Sequence, residues 1–280
     1  MSTNKHSLNL FISLLMAGTT LFTSCNDPAV PSQRAGILEG APNFRDLGGY
    51  PSANGLHTAW RKVFRSQALA QISDSDLVRL KESDIRTVID FRSDDEVRKA
   101  PSRLPGGATL IRLPIDVGRS DSLQIMQLLA TGALDSAQSV AYMQTANRRF
   151  VTDFAPEYRQ FFDILLQPES YPVVFHCTAG KDRTGFAAAL LLSALDVDWD
   201  TVMGDYLLTN QYLKPSSVLP QIPESALPAL RPLLGVHPSY LDAAREEIAE
   251  RYGSIDQYLQ QELHIGPAEK ARLKEYLLDE

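Results

Sequence analysis

Short apolar runs alternate with longer helical stretches over most of this chain. Four runs, at 62–65, 86–91, 108–114 and 172–176, are rich in β-branched and aromatic residues and short enough to be buried strands. Between and after them, 74–83, 155–167, 184–195, 199–213 and 238–252 carry helical spacing or an Ala/Leu-rich composition and predict helices. Ser254-Ile255-Asp256-Gln257 reads as a capping box that opens a further helix, and Gly266-Pro267 separates it from the last one. Strands alternating with helices imply an α/β fold, with a central, mainly parallel sheet flanked by helices on both faces. No internal repeat is present. Two segments break the pattern and read as insertions. Residues 117–150 are polar with few strong stops, and 214–233 contain Pro215, Pro220, Pro223, Pro228 and Pro232.

The front of the chain follows a different rule. Lys5 is the one charged residue before Asp27, leaving His6 aside, and residues 8–18 are mostly apolar. That stretch falls short of the roughly 20 residues a membrane span needs. It fits the basic and apolar regions of a secretory signal. The stretch closes with Leu21-Phe22-Thr23-Ser24-Cys25, a small residue before a cysteine, which resembles a bacterial lipoprotein signal. Phe22 is bulkier than the usual occupant of its position. The expectation is a signal peptide over 1–24, lipidation at Cys25, a polar, Pro-containing tether over 25–39 and a single domain over 40–280. It places the protein outside the cytosol, lipid-anchored to the cell envelope. A plain signal peptide cut near Ser24, or a disordered N-terminus, is the alternative.

Composition narrows the field. Without the leader and tether, the 280 residues reduce to about 240, within the range of one α/β domain. A net charge of −7 speaks against nucleic-acid binding and against electrostatic adhesion to anionic lipid. The chain has two cysteines. One is expected to carry lipid and the other to stay a free thiol, so no structural disulfide is expected. The five histidines form no ligand-spaced cluster, and no metal or other cofactor is expected.

The candidate chemistry lies in His176-Cys177-Thr178-Ala179-Gly180-Lys181-Asp182-Arg183-Thr184-Gly185. An apolar strand precedes it and an Ala/Leu-rich helix follows, so the loop sits at a helix N-terminus. Such positions lower a thiol's pKa from about 8.5 to about 3.5–7.5, and only the thiolate is a good nucleophile. Loop N–H groups from Thr178 to Arg183 can converge on an anion, with the helix dipole behind them. Arg183 carries a planar fork that matches two phosphate oxygens, and Lys181 adds a second positive charge. Gly180 lets the backbone curl without filling the cup. Thr184 can donate its hydroxyl to the sulfur, and His176 is expected to orient the loop by hydrogen bonding. The predicted phosphate cradle is therefore Cys177, Thr178, Ala179, Gly180, Lys181, Asp182 and Arg183. A nucleotide P-loop is excluded, because Phe175 stands where its first glycine belongs and Asp182 follows the lysine.

This segment matches the signature loop of the cysteine-dependent protein tyrosine phosphatases. Asn43-Phe44-Arg45-Asp46-Leu47-Gly48-Gly49-Tyr50, Phe64-Arg65-Ser66, Asp90-Phe91-Arg92-Ser93 and Gly204-Asp205-Tyr206 recur in the same order in one bacterial branch. So do Leu234-Gly235-Val236, Tyr240-Leu241-Asp242-Ala243-Ala244 and Tyr252-Gly253-Ser254. The chain thus resembles that branch, which includes a mycobacterial secreted enzyme, from about residue 40 onward. The resemblance implies a dual-specificity-like phosphatase fold. It also implies hydrolysis of phosphate monoesters through a phosphocysteine, with Cys177, Arg183, Thr184 and an aspartic acid as the catalytic set. Asp116, after Leu113-Pro114-Ile115, is the preferred acid, although its stretch is one residue shorter than the matching one. Asp182 is the runner-up. Charged Arg45, Asp46, Arg65 and Arg92 beside apolar strands read either as a buried ion network or as pocket lining. Arg92 is read as structural, and the choice stays open for Arg45 and Asp46. The resemblance further implies a helical lid after the Asp205-Tyr206-Leu207 segment. This chain is shorter and richer in proline there, so a rigid rim or a short helix is the alternative. The expected partners are a phosphorylated protein or a phosphoinositide, which Lys181 would favour, and a membrane reached through the lipid anchor. The rival readings are a non-catalytic phosphate-binding module and a sulfur-transfer or redox protein.

Overall fold

The computed structural model describes residues 38–117, 125, 127–129, 131–213 and 224–280. These belong to one unit, 31–280. The expected signal peptide, Cys25 and nearly all of the tether lie outside the described residues, as do parts of both suspected insertions.

Five strands form the central sheet: β1 (Arg45–Asp46), β3 (Val63–Ser66), β4 (Thr87–Asp90), β5 (Thr109–Arg112) and β6 (Val173–His176). Their order is β1-β3-β6-β4-β5. The β3–β6, β6–β4 and β4–β5 pairings are parallel, and the β1–β3 pairing is antiparallel. A separate two-stranded ribbon joins β2 (His57–Thr58) to β7 (Leu278–Asp279). The four expected strands are all present. The two-residue strands β1, β2 and β7 are too short to show an alternation in sequence.

Both faces of the sheet are covered, as a parallel sheet requires. Alternate residues on a strand point to opposite faces. Val173 and Phe175 accordingly enter the main core, while Val174, between them, joins Val88, Phe64 and Leu80 on the other face. The second face is closed by α1 (Asp74–Glu82), which starts at a Ser73–Asp76 capping box. The main face is covered by α4 (Ala155–Leu165), α5 (Arg183–Ala194), α6 (Trp199–Tyr212), α8 (Pro238–Tyr252), α9 (Ile255–Gln261) and α10 (Pro267–Leu277). Helix α5 is buried along almost its whole length. Each fully buried leucine among Leu190, Leu191 and Leu192 contributes about 1.5–3 kcal/mol. The first turn of α5, which carries the signature loop, is therefore fixed in the core.

Two helices, α2 (Asp94–Lys99) and α3 (Ser136–Thr152), differ from the sequence reading. The short α2 was not expected. The segment read as a polar insertion contains α3, which packs on α7 (Leu227–Leu234) and α8. Its inner face is Met143, Ala146, Asn147, Phe150 and Val151, a helical spacing interrupted by a buried asparagine. The described part of the proline-rich segment, from residue 224, carries the short helix α7, with Pro232 inside it; a short helix is one of the expected alternatives to a lid.

Candidate active site

The carboxyl ends of the parallel strands converge on one crevice, where ligands bind in open α/β sheets. Strand β6 enters it as His176 and passes into the loop 177–182. Ala68, just past β3, donates its N–H to Thr178 O (3.0 Å). Beyond β4 and β5, Phe91 O and Ile115 O accept from Arg183 Nη1 at 3.4 Å and 3.1 Å. Cys177 is buried, 2% exposed, at the base.

The loop's carbonyls are held from behind. Asn43 Nδ2 donates to Ala179 O (2.9 Å) and Gly180 O (3.0 Å), and Arg65 Nη2 donates to Gly180 O (2.8 Å). In a planar trans peptide the N–H points opposite to the C=O. Fixing the carbonyls of Thr178, Ala179 and Gly180 backwards therefore turns the N–H groups of Ala179, Gly180 and Lys181 forwards. Among the described residues none of these three N–H groups finds a protein acceptor. The first N–H groups of α5 point the same way and have no intrahelical partner. Asp182 precedes α5 without capping it. The result is a ring of donors at a helix N-terminus, suited to an oxyanion. Only glycine fits at position 180. Its φ is +68°, and a Cβ there would stand 2.3 Å from Ser66 O.

Arg183 is gripped on one edge and open on the other. Its Nη1 and Nη2 donate to Glu96 Oε2 (2.7 Å) and Oε1 (2.8 Å). Thr178 Oγ1 also donates to Glu96 Oε1. Burial opposes the charge on Glu96, but the Arg183 guanidinium and the Thr178 hydroxyl hold its pKa down at about 2. Burial likewise opposes the charge on Arg183, and Glu96 and the Cys177 thiolate outweigh it and raise its pKa. Of the five N–H groups of Arg183, the Nε–H makes no bond to protein among the described residues. With Nη2, whose contact beyond Glu96 is a long one to Thr178 Oγ1 (3.4 Å), it forms an edge that can grip two phosphate oxygens.

The remaining predicted residues separate. His176 is fully buried, and its Nδ1 lies 3.2 Å from Cys177 O and 3.7 Å from Asp90 Oδ1. Burial lowers its pKa and Asp90 only partly restores it, which favours the neutral ring. The Thr184 hydroxyl is buried and makes no hydrogen bond, so the expected donation to the Cys177 sulfur is not formed. The Lys181 ammonium is not in the cup. It donates to Leu233 O (2.8 Å) and Gly235 O (3.0 Å), where the carbonyls at the end of α7 attract a cation. The Asp182 carboxylate pairs with Lys181 at 3.3 Å, and its charge is felt by Tyr206 and Tyr240 as well as by Arg183. Lys181 and Asp182 thus contribute backbone, not side chains, to the cradle. Asp116 is exposed and follows Ile115, whose carbonyl touches Arg183. Arg149 of α3 donates to Val117 O (2.8 Å) and holds the segment just after it. Among the described residues no group of three His, Cys, Asp or Glu side chains is arranged to hold a metal ion.

A family model described as the tyrosine phosphatase family matches residues 37–279. The chain belongs to the tyrosine phosphatase family. Among its relatives is a protein of Cupriavidus necator named as a candidate tyrosine-protein phosphatase, 34% identical, with 81% of this chain and 83% of that one covered. The triple specificity protein phosphatase PtpB of Mycobacterium tuberculosis is 32% identical, with 86% and 98% covered. The crystal structure of Pseudomonas aeruginosa TpbA in complex with phosphotyrosine covers 68% of this chain and 89% of that one, at 15% identity and a TM-score of 0.30. That last likeness adds nothing to the family assignment. As a member of the tyrosine phosphatase family, the chain is a cysteine-dependent phosphatase.

Three residues that organise this family site had no role in the sequence reading. Glu96 is visible only as the fourth member of Ser93-Asp94-Asp95-Glu96, a capping box at the start of α2. Asn43 and Asp205 lie in quoted motifs, but nothing local says that they meet the loop. The charged residues beside the strands divide cleanly. Arg45 and Arg65 share Asp205, all three buried. Arg92 pairs with Asp90 and is structural. Asp46 accepts the N–H groups of Gly48 (2.8 Å) and Arg61 (2.7 Å) and closes a turn.

Proposed function

We propose that this phosphatase hydrolyses phosphotyrosine in proteins by a two-step mechanism with Cys177 as nucleophile. The observation that carries the reading is the ring of forward-facing N–H groups closed by Arg183 around the base at Cys177. Cys177 attacks phosphorus, and the leaving phenolic oxygen takes a proton from Asp116. A phosphocysteine forms and the phenol departs. Water then attacks the phosphocysteine, Asp116 accepts its proton, and phosphate leaves as the thiolate is restored. Arg183 and the loop amides neutralise the charge on the equatorial oxygens in both steps. Thr184 stands in the first turn of α5, where a small rotation would aid the departing sulfur.

Asp116 is favoured over Asp182 because the Asp182 carboxylate is paired with the Lys181 ammonium. We expect Asp116→Asn to lower kcat about 10²–10³-fold on a phosphotyrosine peptide, the usual worth of a general acid. The loss should shrink for aryl phosphates with better leaving groups, and the descending alkaline limb of the kcat profile should disappear. A larger loss for Asp182→Asn than for Asp116→Asn would reverse the assignment. The phosphoinositide alternative rested on Lys181 as a second phosphate ligand, and its ammonium is taken up by α7. Phosphoserine, phosphothreonine and phosphoinositide substrates belong in the same assay, because PtpB is named for triple specificity.

We also propose export and lipid anchoring through Cys25. The support is the apolar stretch 8–18 followed by Ser24-Cys25. The full chain expressed in a bacterium should fractionate with membranes and incorporate labelled fatty acid, and Cys25→Ser should do neither. Unlabelled wild-type protein would end this proposal.

A further inference from the structure

The Asp116 side chain leaves a backbone that is fixed on both sides. On one side, Ile115 is fully buried. Its N–H donates to Phe91 O (3.0 Å), and its carbonyl accepts from Arg183 Nη1 (3.1 Å). On the other side, Val117 packs against the main core, and its carbonyl accepts from Arg149 Nη1 (2.8 Å). Exposed connecting segments are ordinarily the more mobile parts of a fold. Here the residues before and after the exposed aspartate each accept a charge-assisted hydrogen bond, the stronger kind.

Arg149 is itself held in register with the phosphate cradle. It lies in Asn147-Arg148-Arg149-Phe150, where α3 buries Asn147 and Phe150. Arg148 meets Glu246 of α8 (2.8 Å), and Arg149 turns to Val117. The Arg149 Nε donates to Asp153 Oδ2, four residues on, at 2.7 Å. That bond and the Thr152 hydroxyl hold the Asp153 carboxyl below its usual pKa. An ion pair at this helical spacing sets the direction of the guanidinium. Next along the chain, Phe150 packs on Phe186 (ring centroids 6.0 Å apart) and on Tyr158 (6.5 Å), and Tyr158 packs on Phe186 (5.0 Å). Phe186 lies in the first turn of α5, as Arg183 does, and the Tyr158 hydroxyl donates to Arg183 O (3.3 Å). The helix that carries Arg149 and the helix that carries Arg183 therefore share one aromatic cluster. The two arginines that grip the acid segment are tied to each other through the core.

We propose that Arg149 is a positioning residue for the general acid: together with Arg183 it clamps the backbone on both sides of Asp116 and presets the carboxyl beside the cup before substrate arrives. The inference rests on the reading of Asp116 as the acid and extends it to a residue of α3 that touches no reacting atom. The clamp acts in the transition state, because the proton passes only when the acid and the leaving oxygen are within hydrogen-bond reach. A displacement on the order of 1 Å costs about 10²-fold in rate. Phosphate itself is gripped by the loop amides and Arg183. The effect of Arg149 therefore belongs in kcat rather than in KM.

The test is steady-state kinetics of the full chain on a phosphotyrosine peptide, with substitutions at 149 and 116 made singly and together. Arg149→Met should lower kcat about 10–10²-fold with KM little changed. The loss should shrink for aryl phosphates with better leaving groups, which need the proton less. Arg149→Lys keeps one donor for Val117 O and should recover part of the loss. In an Asp116→Asn background, Arg149→Met should cost nothing further, because the group it positions is gone. A purely structural role predicts a lower melting temperature with parent-like kcat in the folded fraction, or a fall of the same size in both backgrounds. Either result overturns the proposal. If Arg149→Met does not fold, Arg149→Gln, which keeps a helix-forming stem but is too short to reach the carbonyl, is read by the same criteria. Failure of the acid reading looks different. Asp116→Asn would then turn over like the parent, which removes the acid and the clamp together. An impaired Asp116→Asn beside a parent-like Arg149→Met leaves the acid in place and overturns the clamp alone.

Discussion

Cys177→Ser should fold as the parent does, bind phosphate and lose turnover by roughly 10⁴–10⁶-fold, the scale of removing a covalent nucleophile. The size of the effect follows from the geometry. Cys177 is at the base of the cup, inside the ring of amides, and Arg183 is raised in pKa partly by the thiolate's charge. A serine hydroxyl is close in size to the thiol, so the packing around position 177 should survive. It is a far weaker nucleophile, because almost none of it is ionised at neutral pH. The amides and Arg183 remain, so the variant should hold a phosphotyrosine peptide without cleaving it. Steady-state kinetics with chelator present, together with calorimetric binding of the peptide, checks both halves. Residual activity above about 1% of the parent would mean that another group supplies the nucleophile.

Arg183→Lys should cost about 10³-fold in kcat/KM, comparable with removing an arginine that stabilises a transferring phosphoryl group. Charge is retained, so the loss comes from shape. The guanidinium uses one edge for Glu96, at 2.7 Å and 2.8 Å, and leaves the other for phosphate. An ammonium cannot serve two bidentate partners at once. It would settle on Glu96, whose carboxylate is held ionised at a pKa of about 2, and withdraw from the cup. The loss should therefore appear in kcat as well as KM, because the second phosphate contact strengthens as charge develops. A fall of less than tenfold, or one confined to KM, would show that the fork is not used in the transition state.

The sequence carried the parts of this site that are local. Strand, loop and helix follow one another over residues 172–195, so the cup and its nucleophile were legible from spacing alone. The left-handed glycine at 180 and the apolar run of α5 belong to the same local signal. What escaped was everything that reaches the loop from a distance. Glu96 is 87 residues from Arg183 in the chain, and Asn43 is 137 from Gly180. No period or motif encodes such a meeting; it arises only when β3 and β4 flank β6. The destination of Lys181 was lost for the same reason, because α7 binds its ammonium from 52 residues away. Helix α3 was hidden by composition. Its buried stripe includes Ser139 and Asn147, so averaging over the segment read it as polar. The order of the motifs along the chain follows the family, and their contacts arise only in the folded sheet.

The central claim is that phosphate passes through Cys177 with no metal. Its most direct test is rapid acid quenching of the full chain during turnover of a phosphotyrosine peptide in the presence of chelator, followed by mapping of the phosphorylated residue. Phosphate on Cys177 in the parent, and none in Cys177→Ser, is the expected result. Turnover that stops on chelation, or phosphate recovered on any other residue, would contradict the account.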